Sequence, residues 1–243
     1  MKKNASEMSR KELASFIDYS ILKPEFSQEE IIALAKEGVE LECSSLCINP
    51  GYISLLEPFV EGTTTSICPV CDFPFGTSST SSRRQQVEDV AQYDCVKEID
   101  IVANYGMIRS GMLSEVTADL VEMMAVCKKY GKELKVILET DALNDVEIVS
   151  GCKCCLDAGV DFVKTSTGFL TGYDLVGGTV EVVDLIMKTV NGAAKVKASG
   201  CIRTREHFLA LIELGVDRCG LGYKSVRPIL EASIDNDNSK EAY

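Results

Sequence analysis

Short apolar runs rich in Val, Ile, Leu and Cys recur along this chain, and between them apolar residues repeat with a helical period. The runs predict strands near residues 16–20, 45–49, 64–70, 98–103, 134–139, 162–166, 195–198 and 218–222. Segments 28–37, 84–93, 114–130, 146–158, 180–190 and 205–214 predict amphipathic helices. Ser27-Gln28-Glu29-Glu30 and Ser82-Arg83-Arg84-Gln85 have the spacing of a capping box, in which two side chains satisfy N–H groups at a helix start. Gly38, Gly131, Gly159 and Gly215 stand where those helices should stop. Eight strands with mostly helical connections predict a parallel sheet, and eight is the number that closes a (β/α)8 TIM barrel. The alternative, an open doubly wound sheet, would offer a G-x-G-x-x-G turn after its first strand, and none occurs there. The expected organisation is α/β, with one barrel domain over residues 1–232 and a mobile polar tail over 233–243.

Composition narrows the class. The 243 residues suit a single α/β barrel, which typically takes about 250. The net charge of −12 argues against broad contact with nucleic acid or anionic membrane, whose phosphates repel an acidic surface. It leaves room for a small anionic substrate held by local backbone N–H groups. No apolar run reaches the roughly 18 residues of a membrane span. The start, Met1-Lys2-Lys3-Asn4-Ala5-Ser6-Glu7, lacks the apolar stretch of a signal peptide. Eleven cysteines without a secretion signal predict reduced thiols in a cytoplasm. Cys68-Pro69-Val70-Cys71 has C-x-x-C spacing, and Cys152, Cys154 and Cys155 cluster. A zinc or iron–sulfur site needs four well-placed ligands. Strand alternation separates the first set and a helix carries the second, so small buried hydrophobes are the favoured reading. No metal or cofactor is expected.

The candidate chemistry lies in charges placed on apolar strands. Lys164, in Asp161-Phe162-Val163-Lys164-Thr165-Ser166, and Lys197, in Ala194-Lys195-Val196-Lys197-Ala198-Ser199-Gly200, sit toward the ends of consecutive strands. If both point inward they lie about 5 Å apart. Burying an ammonium group is costly. The placement makes sense if a second cation is wanted to lower a lysine's pKa, because the neutral amine can attack a carbonyl. The bland alternative is that each is solvated at a strand end or paired with a carboxylate. Asp100, in Glu98-Ile99-Asp100-Ile101-Val102, is a carboxylate between isoleucines and needs a partner from across the barrel; a structural ion pair is its other reading. Lys135 is a further member of this charge cluster, nearer its strand's start. Ser199-Gly200-Cys201-Ile202-Arg203-Thr204 leads into a helix with Thr204 as N-cap, and Gly220-Leu221-Gly222-Tyr223 follows the last strand. Late barrel turns of this kind often cradle phosphate, and Lys224 and Arg227 add positive charge nearby. His207, the only histidine, is expected at a helix surface, and no Ser–His–Asp or Cys–His constellation can be built on it.

With these residues in place, the chain resembles the deoxyribose-phosphate aldolase family from about Phe16 to Leu230. The blocks that carry the resemblance include Ile17-Asp18-Tyr19-Ser20-Ile21-Leu22-Lys23-Pro24, Ser45-Leu46-Cys47-Ile48-Asn49-Pro50, Phe73-Pro74-Phe75-Gly76, Glu98-Ile99-Asp100-Ile101-Val102 and Lys135-Val136-Ile137-Leu138-Glu139-Thr140. The most specific are Asp161-Phe162-Val163-Lys164-Thr165-Ser166-Thr167-Gly168-Phe169 and Val196-Lys197-Ala198-Ser199-Gly200, then Ile202-Arg203-Thr204. The resemblance implies a class I lyase without metal, acting on a small aldehyde or sugar phosphate and assembled as a homo-oligomer, dimer or tetramer. It implies that Lys164 forms the Schiff base, that Lys197 perturbs it, and that Asp100 handles protons. It further implies substrate-binding positions at Asp18, Cys47, Lys135, Thr167, Gly168, Gly200, Cys201, Gly220 and Gly222.

The chain also departs from the family pattern. Tyr19 stands where the family usually has His, Gly200-Cys201 where it has a Gly pair, and Gly220-Leu221-Gly222-Tyr223 where it has Gly-x-Ser-Ser. The loop over 169–178 is unusual. These changes predict weakened or shifted phosphate recognition, rebuilt with Lys224 or Arg227. Tyr243, at the end of the tail, carries a phenol that could reach the barrel mouth and shuttle a proton; a disordered end is the simpler reading. The alternative functions are a Schiff-base aldolase with a different or non-phosphorylated substrate, a catalytically silent barrel that binds a sugar phosphate or a partner protein, and a metal-binding protein using the cysteines.

Overall fold

The computed structural model describes residues 4–232; the tail at 233–243, Tyr243 included, lies outside the described residues. Eight parallel strands form a closed barrel in sequence order, with β8 returning to β1. They are β1 (Ile17–Ile21), β2 (Ser45–Ile48), β3 (Ser66–Cys71), β4 (Glu98–Val102), β5 (Glu133–Ile137), β6 (Phe162–Lys164), β7 (Lys195–Ser199) and β8 (Arg218–Gly222). Around them run α1 (Arg10–Ala14), α2 (Gln28–Glu40), α3 (Ile53–Val60), α4 (Thr80–Ala91), α5 (Tyr105–Arg109), α6 (Leu113–Tyr130), α7 (Asp145–Ala158), α8 (Val180–Val190), α9 (Arg205–Leu214) and α10 (Tyr223–Glu231). The architecture is the (β/α)8 barrel expected from the sequence.

Alternation along each strand divides the molecule into two environments. Leu46, Ile99, Ile101, Leu134, Val136, Val163 and Val196 face outward, fully buried under the helices. Each such side chain contributes roughly 1.5–3 kcal/mol by leaving water. Asp18, Asp100, Lys135, Lys164 and Lys197 are buried too, on the inner face. Phe162 floors the barrel, its ring 4.8 Å from the Lys195 ammonium, 5.5 Å from Lys135 and 5.9 Å from the Arg218 guanidinium. This chain therefore fills the inside of its barrel with charge.

The helix ends refine the sequence reading. Ser27 and Glu30 form the expected capping box, and Gly131, Gly159 and Gly215 end their helices with positive φ. Gly38 does not stop a helix: α2 runs through it to Glu40. A Cβ there would meet Leu46 Cδ2 at 2.5 Å and the Tyr19 ring at 3.1 Å, so the glycine admits close packing against the barrel. The capping box at Ser82 is also displaced, because α4 begins three residues earlier with Ser79 as N-cap. The pattern gave no signal for α3 and α10, which carry Pro58 and Pro228 inside them. Among the described residues no helix is long and apolar enough to cross a membrane.

Candidate active site

Strand register brings the expected lysine pair together. Lys164 on β6 lies opposite Lys197 on β7, and both ammonium groups reach the same oxygen of Asp100 from across the barrel. Lys164 Nζ donates to Asp100 Oδ2 at 2.7 Å and Lys197 Nζ at 2.8 Å. Lys197 also lies 2.5 Å from Asp18 Oδ2. Lys135 stands level with Asp100 and Phe162, two residues below Lys164 in register. Its ammonium is 3.3 Å from Asp100 Oδ1 and 3.4 Å from Asp18 Oδ2, and it contacts Glu98. Arg218 completes the layer, 2.6 Å from Glu98 and 3.3 Å from Asp18.

The charge inventory of this cluster is informative. Asp18, Glu98 and Asp100 oppose Lys135, Lys197 and Arg218, three against three, without counting Lys164. The cluster carries no net charge when Lys164 is the free amine. Burial alone would push the Asp100 carboxyl up, but Lys164, Lys197 and Lys135 reverse this and hold it well below the usual carboxylate range. Burial likewise works against the Lys197 ammonium, yet Asp100 and Asp18 raise its pKa above that of an ordinary lysine. Lys135 is raised for the same kind of reason, with Asp18 its main partner. Lys197 and Lys135 are thus fixed cations.

A cavity of about 430 Å³ opens above the cluster, and Lys164 is the one lysine of the three in its wall. Thr167, Gly168, Gly200, Cys201, Gly220 and Gly222 also line it, as expected. Asp18, Cys47 and Lys135 do not; each is fully buried beneath the cavity. Asp18 and Lys135 belong to the ion cluster rather than to a substrate surface. Cys47 Sγ sits 3.9 Å from Asp100 Oδ2, while the Cys68 thiol donates to Asp100 Oδ1 at 3.1 Å. Cys68 holds the Cys47 thiol below its ordinary pKa by hydrogen bonding, and burial pushes Cys68 itself well up. Cys47, Cys68 and Asp100 offer donor atoms close enough to share a cation, but ammonium groups already occupy two of them, Lys135 lying 3.2 Å from Cys68 Sγ and Lys164 and Lys197 bonding Asp100.

The glycines have different jobs. Gly168 and Gly200 hold φ of 81° and 83°, the left-handed region that glycine enters freely. Cys201 follows at φ 56°, left-handed without being glycine, and its thiol donates to the Leu175 carbonyl at 3.6 Å. Gly220 is a packing glycine inside β8, where a Cβ would lie 3.0 Å from Ser199 Cβ and 3.2 Å from Lys197 Cε. Gly220→Ala is therefore expected to push the Lys197 stem aside, lowering kcat about tenfold and stability by about 1–3 kcal/mol. Steady-state kinetics and thermal unfolding check this; unchanged kcat would contradict it.

Several expectations are corrected. Arg227 is not available to the cavity: it binds Glu37 at 2.7 Å and Glu231 at 3.0 Å on the outer layer. Lys224 stands 6.0 Å from the Tyr223 ring and is not in the cavity wall. The additional cations in that wall are Lys23 and Arg203, and Ser225 supplies a hydroxyl from the first turn of α10. These residues come from the loops after β1 and β7 and from the start of α10, and the sequence blocks that contain Lys23 and Arg203 hinted at two of them. Tyr19 points outward and donates to Glu37 at 2.8 Å, so its departure from the family pattern leaves the cavity untouched. His207 is half-buried and bonds the Gly178 carbonyl at 3.0 Å rather than lying free on a surface.

Comparison with known proteins agrees with this geometry. A profile of DeoC/LacD family aldolases matches residues 12–231. The deoxyribose-phosphate aldolase of Thermoanaerobacter pseudethanolicus is 40% identical over 209 residues, covering 86% of this chain and 92% of that protein. That of Actinobacillus succinogenes is 40% identical over 213 residues, covering 88% and 92%. Among solved structures, an aldolase named QR15 superposes with a TM-score of 0.80 at 34% identity, covering 88% of this chain and 92% of that one. A tetrameric deoxyribose phosphate aldolase from Aeropyrum pernix superposes with a TM-score of 0.81 at 25% identity, covering 95% and 97%.

Proposed function

The chain belongs to the DeoC/LacD family of aldolases, and from that premise we propose that it cleaves 2-deoxyribose 5-phosphate to acetaldehyde and glyceraldehyde 3-phosphate, and catalyses the reverse addition. The observation that carries the reading is one lysine opening into the cavity beside a buried, fully paired cation and a shared carboxylate. In this reading the Lys164 amine attacks the C1 carbonyl, and loss of water leaves an iminium. The iminium draws electrons from the C2–C3 bond as a base takes the 3-hydroxyl proton. Glyceraldehyde 3-phosphate leaves, the enamine is protonated on carbon, and hydrolysis frees acetaldehyde and Lys164. Asp100, through a water, is the proton carrier. Lys197 is the fixed cation that favours a neutral neighbour.

The substrate's phosphate would sit among the N–H groups at Gly168, Gly200 and the start of α10, with Arg203 and Lys23 as counter-charges. The Cys201 side chain and the Gly222-Tyr223 pair make this a shifted version of the family's phosphate turns. Turnover of 2-deoxyribose 5-phosphate is compared with that of 2-deoxyribose. We expect the phosphate to raise kcat/KM at least about tenfold, as one charge-assisted hydrogen bond can. Equal values would favour a non-phosphorylated aldehyde as the natural substrate. The eleven free thiols, most of them buried, suit a reducing cytoplasm. The 1–232 barrel is proposed to act as a single domain in a homo-oligomer, as the tetrameric relative does.

A further inference from the structure

Glu139 plays no part in the chemistry above, yet it is 1% exposed and holds φ at 59°, left-handed without being glycine. Glycine takes that conformation without steric strain, so the carboxylate is the reason for a side chain here. That carboxylate turns toward the loop after β6. It accepts the Thr167 N–H at 3.2 Å and also the Thr167 hydroxyl. Thr167 Oγ1 in turn accepts the Phe169 N–H at 3.0 Å. A hydroxyl has one proton and two lone pairs. Thr167 has given its proton to Glu139 and one lone pair to Phe169, which leaves one lone pair in the wall of the cavity that holds Lys164.

We propose that Glu139 is a positioning residue that fixes the Thr167 hydroxyl as a hydrogen-bond acceptor, so that the site selects a substrate that donates a hydroxyl to it. The inference rests on the aldolase reading and names which polarity that site presents to the sugar. The Glu139 carboxylate is not needed merely to hold the loop. Asp141 already grips its far end through the N–H groups of Val176 and Gly177, at 3.0 and 3.1 Å.

Glu139→Gln tests this, because it keeps the size and reverses one hydrogen bond. The amide oxygen can still accept the Thr167 N–H, while the NH₂ group donates to Oγ1 and turns the Thr167 proton toward the cavity. Two readouts are compared: borohydride trapping of acetaldehyde on Lys164, and turnover of 2-deoxyribose 5-phosphate. Acetaldehyde has no hydroxyl, so trapping is expected to persist while kcat/KM for the sugar falls about tenfold. Thr167→Val should lose a similar factor, and the double variant no more than either alone. Trapping and turnover that fall together would assign Glu139 a purely structural role, and unchanged turnover would also overturn the proposal. A wild-type protein that traps no aldehyde would instead overturn the Schiff-base reading itself.

Discussion

Lys164→Met is expected to lower turnover by about four orders of magnitude or more, the scale seen when a covalent nucleophile is removed. It should also abolish the borohydride-stable adduct with acetaldehyde. Methionine keeps an unbranched stem as far as Cε, with sulfur in place of Cδ, and loses the amine. The same change should leave stability within about 1 kcal/mol of wild type, which separates a missing nucleophile from a damaged fold. The reason lies in the charge inventory. Asp100 keeps Lys197 at 2.8 Å and Lys135 at 3.3 Å, and the cluster is balanced without Lys164. Peptide mapping of the wild-type adduct locates the modified lysine. An adduct on Lys197 or Lys135, or one that persists in Lys164→Met, would refute the assignment.

Why Lys164, Lys197 and Asp100 were legible in the sequence follows from the same physics. A charge between isoleucines or valines is conspicuous because burial makes it improbable without a purpose. The number of strands was legible for a similar reason, since buried parallel strands read as apolar runs. Depth along the barrel axis was legible only for Lys135, near the start of its strand. Asp18 and Lys135 also looked like substrate contacts by resemblance, yet both are engaged in the buried ion cluster, Lys135 level with Phe162 and Asp18 bound to Lys197. Nor could the pattern foresee that Lys23, Arg203 and Ser225 meet at one cavity, because two loops and a helix start from distant parts of the chain bring them there. Gly38 misled for a local reason: glycine commonly ends helices, but here it makes room for the Tyr19 ring.

Lys197→Met should behave in the opposite way to its neighbour and damage both rate and fold. Lys197 lies 2.5 Å from Asp18 and 2.8 Å from Asp100, with none of the three exposed. Removing it leaves three carboxylates against two fixed cations in a buried layer. Breaking such a pair destabilises by about 3–5 kcal/mol. The rate should fall at least about a hundredfold, because Asp100, the proposed proton carrier, loses the fixed cation that holds its Oδ2 at 2.8 Å. The pH dependence gives a further check. Asp18 and Asp100 have pKa values depressed from the usual 3.8, so their pairing stabilises the fold above that pH and is lost as pH falls. Lys197 is raised above 10.5, so its contribution is complete below that pH and is lost on the alkaline side. The stability gap between wild type and Lys197→Met should therefore be widest between these limits. It should narrow as the carboxylates take up protons in acid. Urea unfolding at a series of pH values measures it, and a gap that stays constant into acid would show that Lys197 stabilises the barrel through packing rather than charge.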